Sequence, residues 1–310
     1  MRGCPSRAQR LFTAVFTAGL TLVTPAAARA STNELPDPST YDAAIAWLPD
    51  TQFYSARHPR HFKNQTRWLV DNAATRKIGY ATHTGDIVHN ASSTRQWNNA
   101  DAAMGTLDEG KFPYGIVQGN HDVGDKYFAY FGEWRFKDSP VYSESFKNNR
   151  QHYDLVDVAG RKVLMLSLTW AMRDDDFAWA KQVLTKHSNL PVIVSVHAYL
   201  NTDGTYDQQG QRIFDEIVKP YANVKAVLCG HNHGAAHKVR DLGNGRKVPE
   251  ILADYQRAKE GGLGYLRLLQ FDLDAKKMIV DTYSPSLNDS SYFATGDDFT
   301  VDVDLLPPPR

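Results

Sequence analysis

Along this chain, short apolar runs alternate with longer stretches in which apolar residues recur every three or four positions. The runs at 44–48, 78–82, 114–117, 192–196 and 224–229 have the length of buried strands. Between them, residues 62–74 set Phe62, Thr66, Leu69, Val70 and Ala73 at helical spacing, and residues 97–107 repeat that pattern less cleanly, so both are predicted crossover helices. Strand–helix–strand crossovers are right-handed in nearly all cases, so successive strands run parallel and their carboxyl ends share one edge. Farther on, residues 153–158 and 162–168 flank Ala159-Gly160 as an alternating hairpin. Residues 174–187 then read as a helix whose acidic start suits its dipole. After residue 233 the pattern changes to strands without obvious helices, at 236–240, 251–253, 263–273, 277–283 and 299–303. These suit a second sheet packed face to face on the first, and the class is α/β.

Each of the five early runs leads into residues that bind metals. They are followed by Asp50-Thr51-Gln52, Gly85-Asp86, Gly119-Asn120-His121-Asp122, His197 and Gly230-His231-Asn232-His233. The separations Asp50 to Asp86, Asp86 to Asn120 and His197 to His231 are 36, 34 and 34 residues, each near the length of one strand–helix–strand unit. Five polar turns therefore converge at the edge where α/β sheets collect ligands. Gly119 allows a sharp turn, Asn120 offers a neutral carbonyl oxygen, His121 can carry a proton, and Asp122 can orient its imidazole.

This ordered set resembles the calcineurin-like metallophosphoesterases, whose motifs run D-x-H, G-D, G-N-H-D/E, a lone H and G-H-x-H. The likeness covers residues from about 44 to at least 240, and one position departs: Gln52 stands where most of the family has His, as in a bacterial branch with D-T-Q. The resemblance implies a four-layer α/β/β/α sandwich of two mixed sheets flanked by helices. It also implies two divalent cations, one held by Asp50, Gln52, Asp86 and His233, the other by Asp86, Asn120, His197 and His231, with Asp86 bridging. Such a pair lowers the pKa of a water between the ions and clamps the oxygens of an in-line displacement. The implied reaction is hydrolysis of phosphomonoesters or phosphodiesters of small molecules by that hydroxide. His121 would donate a proton to the leaving oxygen, with Asp122 keeping it aligned. Mixed oxygen and imidazole ligands suit manganese, iron or zinc, and the amide of Gln52 makes magnesium or calcium plausible at its site. The alternative is an extracellular binding or structural protein that keeps the fold without turnover.

Charge and composition narrow the setting. Arg2, Arg7 and Arg10 precede an apolar stretch at 11–23 and the small residues Ala28-Arg29-Ala30, the form of a secretory signal peptide too short to span a membrane. A secreted or periplasmic product without a membrane anchor is expected. Removing residues 1–30 takes four arginines and no acids, so 31 basic residues remain against 35 acidic. With no basic stripe, stable nucleic-acid binding is not expected. Cys229, alone once Cys4 is cleaved off, reads as a small buried apolar residue. Residues 31–43 read as a tether, 44–304 as the catalytic domain and 305–310 as a proline-rich tail.

Several residues stay open. Trp170 either lines the site or packs in the core, and Asp254 and Gln256 at a strand end are candidate outer-shell groups. Gly261, Gly262 and Gly264 permit close approach to a ligand or serve as turn glycines. His58 and His61 read as exposed or capping, His83 and His89 as core or outer-shell, and His152, His187 and His237 as exposed. Substrate-binding residues and oligomeric state leave no signal.

Overall fold

The computed structural model describes residues 35–293 and 296–306; the leader and most of the proline-rich tail lie outside them. Two seven-stranded mixed sheets pack face to face, with helices on both outer faces. In the first sheet, β1 (Ala43–Leu48), β2 (Ile78–His83) and β3 (Tyr114–Ile116) are parallel. In the second, β4 (Tyr142–Phe146) and β5 (Gln151–Val158) lead antiparallel into β6 (Arg161–Leu168), which continues parallel to β7 (Val192–Val196) and β8 (Val224–Cys229). Then β9 (Gly234–Asp241) and β10 (Lys247–Asp254) close that sheet beyond β8. The chain returns to the first sheet, where β11 (Leu266–Asp272) lies antiparallel on β1 and β12 (Lys277–Ser284) follows it. β13 (Asp289–Ser290) and β14 (Phe299–Asp302) both pair with β12.

The late strands therefore do not make a sheet of their own. They are shared out, β9 and β10 to one sheet and β11–β14 to the other, because β1 has an open edge whose backbone groups need partners. The five motif strands are divided too, three in the first sheet and two in the second. Their carboxyl ends still meet, at one rim of the sandwich.

Alternation in β1 explains the layering. Ala44, Ala46 and Leu48 face the helices α2 (Pro59–Asn72) and α3 (Thr94–Glu109), while Ile45 and Trp47 face the opposite sheet and meet its Met165, Ile193 and Leu228. Preceding these is α1 (Gln52–Arg57), which starts directly after the first motif. In α2, Phe62, Thr66 and Leu69 form the buried stripe and Pro59 occupies the first turn. Ser93 caps α3 through a bond from the Gln96 amide. Two short helices missed by pattern, α4 (Asp125–Phe131) and α5 (Glu133–Phe136), fill the crossing between the sheets. The helices α6 (Asp174–Lys186) and α7 (Gln208–Ile213) cover the second sheet, and Cys229 is buried beneath them.

Four histidine expectations are corrected. His61 is buried, its ring bonded to Ser286 (2.7 Å) and Glu260 (2.8 Å), because it sits on the inward stripe of α2 where the 259–264 loop packs down. His152 is buried and stacked on Phe136. His187 and His237 are half-buried against Tyr153 and Phe299. The glycines at 261, 262 and 264 have positive φ, and a Cβ on each would collide with Phe53, Tyr54 or Ser286, so close packing on α1 and the neighbouring loop explains them. No helix among the described residues is long and apolar enough to cross a membrane.

Candidate metal centre

The turn after β2 and the turn after β3 touch backbone to backbone. Asp86 has φ +50°, and a Cβ on Gly119 would overlap its amide nitrogen and its carboxylate. Gly85, at φ +95°, faces Gly119 in the same way. A third close approach sets Gly230 against the Asp50 carboxylate, whose Oδ2 accepts the His231 amide at 3.1 Å. Glycine is required at these seams because facing backbone and the side chains of Asp50, Asp86 and His197 occupy the space a Cβ would take.

Four lone-pair atoms meet at the rim. Asn120 Oδ1 lies 2.9 Å from His197 Nε2 and 3.0 Å from His231 Nδ1; the two nitrogens are 3.2 Å apart, and Asp86 Oδ1 is 3.4 Å from His197 Nε2. His197 Nδ1 donates to the Thr84 carbonyl at 2.9 Å, so its Nε2 carries a lone pair. At most one proton, on His231 Nδ1, sits among the four atoms. That arrangement calls for a cation, and Asp86, His197 and His231 satisfy the spacing of a metal-holding group. Burial pushes the His197 imidazole down to about 4 and lowers that of His231, so both are neutral ligands at pH 7.

The residues expected at the other metal position are Asp50, Gln52, Asp86 and His233. Asp50 Oδ1 is buried without a partner, and burial raises that carboxyl well above its usual range. Burial likewise pushes Asp86 up to about 6. Without cations these acids resist ionisation; positive charge beside them reverses that. His233 Nδ1 lies 3.1 Å from Asp254 Oδ2. Gln52 presents its amide nitrogen, not its oxygen, to Asp86 Oδ2 at 3.1 Å.

His121 and Asp122 part company. The His121 amide donates to Asp86 Oδ1 at 2.9 Å, while its ring Nδ1 donates to the His89 carbonyl at 2.8 Å. Asp122 turns inward instead, accepting the amides of Gly119 (2.8 Å), Val88 (3.0 Å) and Ile87 (3.1 Å). The alignment of His121 expected from Asp122 comes from the His89 carbonyl and from the His89 ring, stacked at 5.0 Å and 22°. Asp122 instead fixes the two turns to each other, because a buried carboxylate satisfies amides that no strand can reach.

Other groups sort by position. Trp170 lines the site, its ring 5.0 Å from that of His231 and 5.6 Å from that of His197. His83 bonds Thr51 Oγ1 at 2.9 Å and the Gly85 amide at 3.1 Å, and burial holds it neutral, down at about 3. Pattern missed the anchoring role of His89. Its place three residues past Asp86 was the only hint, since a backbone carbonyl leaves no mark in sequence.

The fold, two packed mixed sheets, carries at one rim a donor set with the spacing of a metal-holding group. The chain belongs to the calcineurin-like phosphoesterase family, whose model matches residues 44–235 and whose members work through a dimetal centre. It is 44% identical over 280 residues to an uncharacterized protein of Bacillus subtilis (strain 168), YvnB, covering 85% of this chain and 22% of that protein. A probable cyclic nucleotide phosphodiesterase of Moraxella catarrhalis (strain BBH18) is 23% identical over 160 residues, 48% of this chain and 56% of that one. The chain thus spans about a fifth and about half of these two curated relatives. Among solved structures, a purple acid phosphatase from yellow lupin (Lupinus luteus) has a similar fold with TM-score 0.56 at 11% identity, covering 84% of this chain and 54% of that one. A dimetal phosphatase from Danio rerio gives 0.53 at 13%, covering 84% and 99%.

Proposed function

We propose that this chain is an exported two-metal phosphohydrolase acting on small-molecule phosphoesters. The observation that carries the reading is the convergence of Asp86 Oδ1, Asn120 Oδ1, His197 Nε2 and His231 Nδ1 with too few protons to bond one another. These four would hold one ion, and Asp50, Asp86 and His233 would hold the other, with Gln52 beside them. Bound divalent cations supply a water of lowered pKa and neutralise charge on the phosphoryl oxygens.

The chain's own residues do the rest. His121 is fixed through its amide and Nδ1, which leaves Nε2 to deliver a proton to the leaving oxygen. Asp122 keeps the two turns that carry Asp86 and His121 in register. Trp170 offers an aromatic wall beside the imidazoles of His197 and His231, which shields them from water. Manganese, iron or zinc suits the Asn120 side, and export follows from the leader at residues 1–30.

Metal-stripped protein reconstituted with manganese or zinc and offered nitrophenyl phosphomonoesters and phosphodiesters tests the proposal. Turnover that tracks metal occupancy supports it. Stable metal binding with no turnover of either ester favours a silent binding protein.

A further inference from the structure

We propose that Gln52 is not a metal ligand but the centre of a hydrogen-bonded belt, Asp86–Gln52–Gln256–Asp254, that ends beside His233 and orients the ligands of the first metal position. That position then keeps three protein ligands, Asp50, Asp86 and His233, against four for the second, and is the weaker of the two. The inference rests on the two-metal reading above and assigns its asymmetry.

Asp254 is buried and, when ionised, can only accept. Its Oδ1 takes the Gln256 backbone amide at 2.8 Å and its Oδ2 takes Gln256 Nε2 at 3.0 Å. Since the side-chain nitrogen of Gln256 must face this carboxylate, its oxygen faces Gln52. Gln52 can meet that oxygen only with its own nitrogen, and the same nitrogen donates to Asp86 Oδ2 at 3.1 Å. Both amide hydrogens are thereby used. The remaining Gln52 oxygen accepts from His89 Nδ1 at 2.8 Å. Reversing the amide would set the Gln52 oxygen against oxygens of Asp86 and Gln256, so the orientation follows from the anchor at Asp254.

At the far end, Asp254 Oδ2 stands 3.1 Å from His233 Nδ1. His233 Nδ1 makes no hydrogen bond, and a carboxylate this close favours a proton on Nδ1, which would leave Nε2 for a metal. The belt thus supplies geometry where an imidazole at position 52 would have supplied a bond. His89 joins it to the general acid, because its ring holds Gln52 while its carbonyl holds His121.

The test uses the full chain, stripped of metal and titrated with manganese(II), together with a crystal structure of the manganese-saturated protein. Two ions of unequal affinity are expected, with the Gln52 oxygen bonded to His89 and neither ion within about 2.4 Å of it. Asp254→Asn should weaken the looser site by about 10- to 100-fold and leave the tighter one unchanged. Two bound ions with the Gln52 oxygen coordinated to one of them would overturn the belt alone, as would an Asp254→Asn effect on both sites or on neither. Saturation at one ion would overturn the two-metal reading beneath it. The structural arm needs no variant, so a failure of Asp254→Asn to fold does not remove the test.

Discussion

Asp122→Ala removes one side chain and strands three backbone amides. Gly119, Val88 and Ile87 each donate to that carboxylate at 2.8–3.1 Å, and no strand neighbour stands by to replace it. An unsatisfied buried donor costs about 1–3 kcal/mol, so three cost about 3–6 kcal/mol once some relaxation is allowed. For a domain of this size, a loss of that order lowers Tm by on the order of 10 °C. Metal should go with it, since the three amides flank Asp86 and its seam with Gly119. Asp122→Asn keeps one acceptor oxygen and should fall between wild type and Ala. Thermal unfolding of metal-loaded wild type and both variants, with metal content measured alongside, decides the matter. If Asp122→Ala kept its Tm within about 2 °C while its pH–rate profile moved, Asp122 would be acting on His121 and not on the turns.

His121→Asn should cost much of the ~10²- to 10⁴-fold that positioned proton transfer contributes on an alkyl phosphoester, and clearly less on a nitrophenyl ester, with metal content unchanged. Equal losses on the two esters would assign His121 an electrostatic role. Asp86→Ala should release both ions, which elemental analysis of the purified variant reads; retention of two ions would remove the bridge. Gly119→Ala should reduce metal affinity while leaving every ligand residue in the sequence, because its Cβ overlaps the Asp86 amide and carboxylate and must displace them; calorimetric titration checks this. In metal-stripped protein, Asp86 and Asp122 are pushed up to about 6 and about 7 from the ordinary 3.8. Protonation therefore favours the folded state, and this contribution, complete below about pH 4, is lost as pH rises through 6 and 7. Bound cations hold both acids ionised, so the Tm gap between loaded and stripped protein should widen from pH 4.5 to 7.5. A gap that does not change with pH would contradict these shifts.

The motif strands and the convergence of their turns were legible because burial forces apolar runs and leaves only the strand ends for polar side chains. Their division between two sheets was not, since strand pairing depends on which edge is left open, as β1 leaves one for β11. Residue types singled out Asn120, His197 and His231, and all three reach one point. Asp122 was assigned to its sequence neighbour His121, but the turn sends adjacent side chains in opposite directions. His61 was hidden for a related reason: helical spacing marks Phe62 and Leu69 as inward, yet nothing in the sequence announces that Glu260 and Ser286 will meet an inward imidazole. The His89 carbonyl and the Gln52–Gln256 contact join positions far apart in the chain, and no local pattern encodes them.

In the proposed function, the cluster of Asp86, Asn120, His197 and His231 holds metal for phosphoester hydrolysis. The most direct measurement is a titration of metal-stripped protein with manganese(II) in which bound ion and nitrophenyl phosphoester turnover are recorded on the same samples. Turnover should rise from the stripped baseline and track occupancy up to two ions per chain, and an Asp86→Ala chain should gain neither. Full occupancy without turnover of any phosphoester, or turnover independent of metal, would contradict that function.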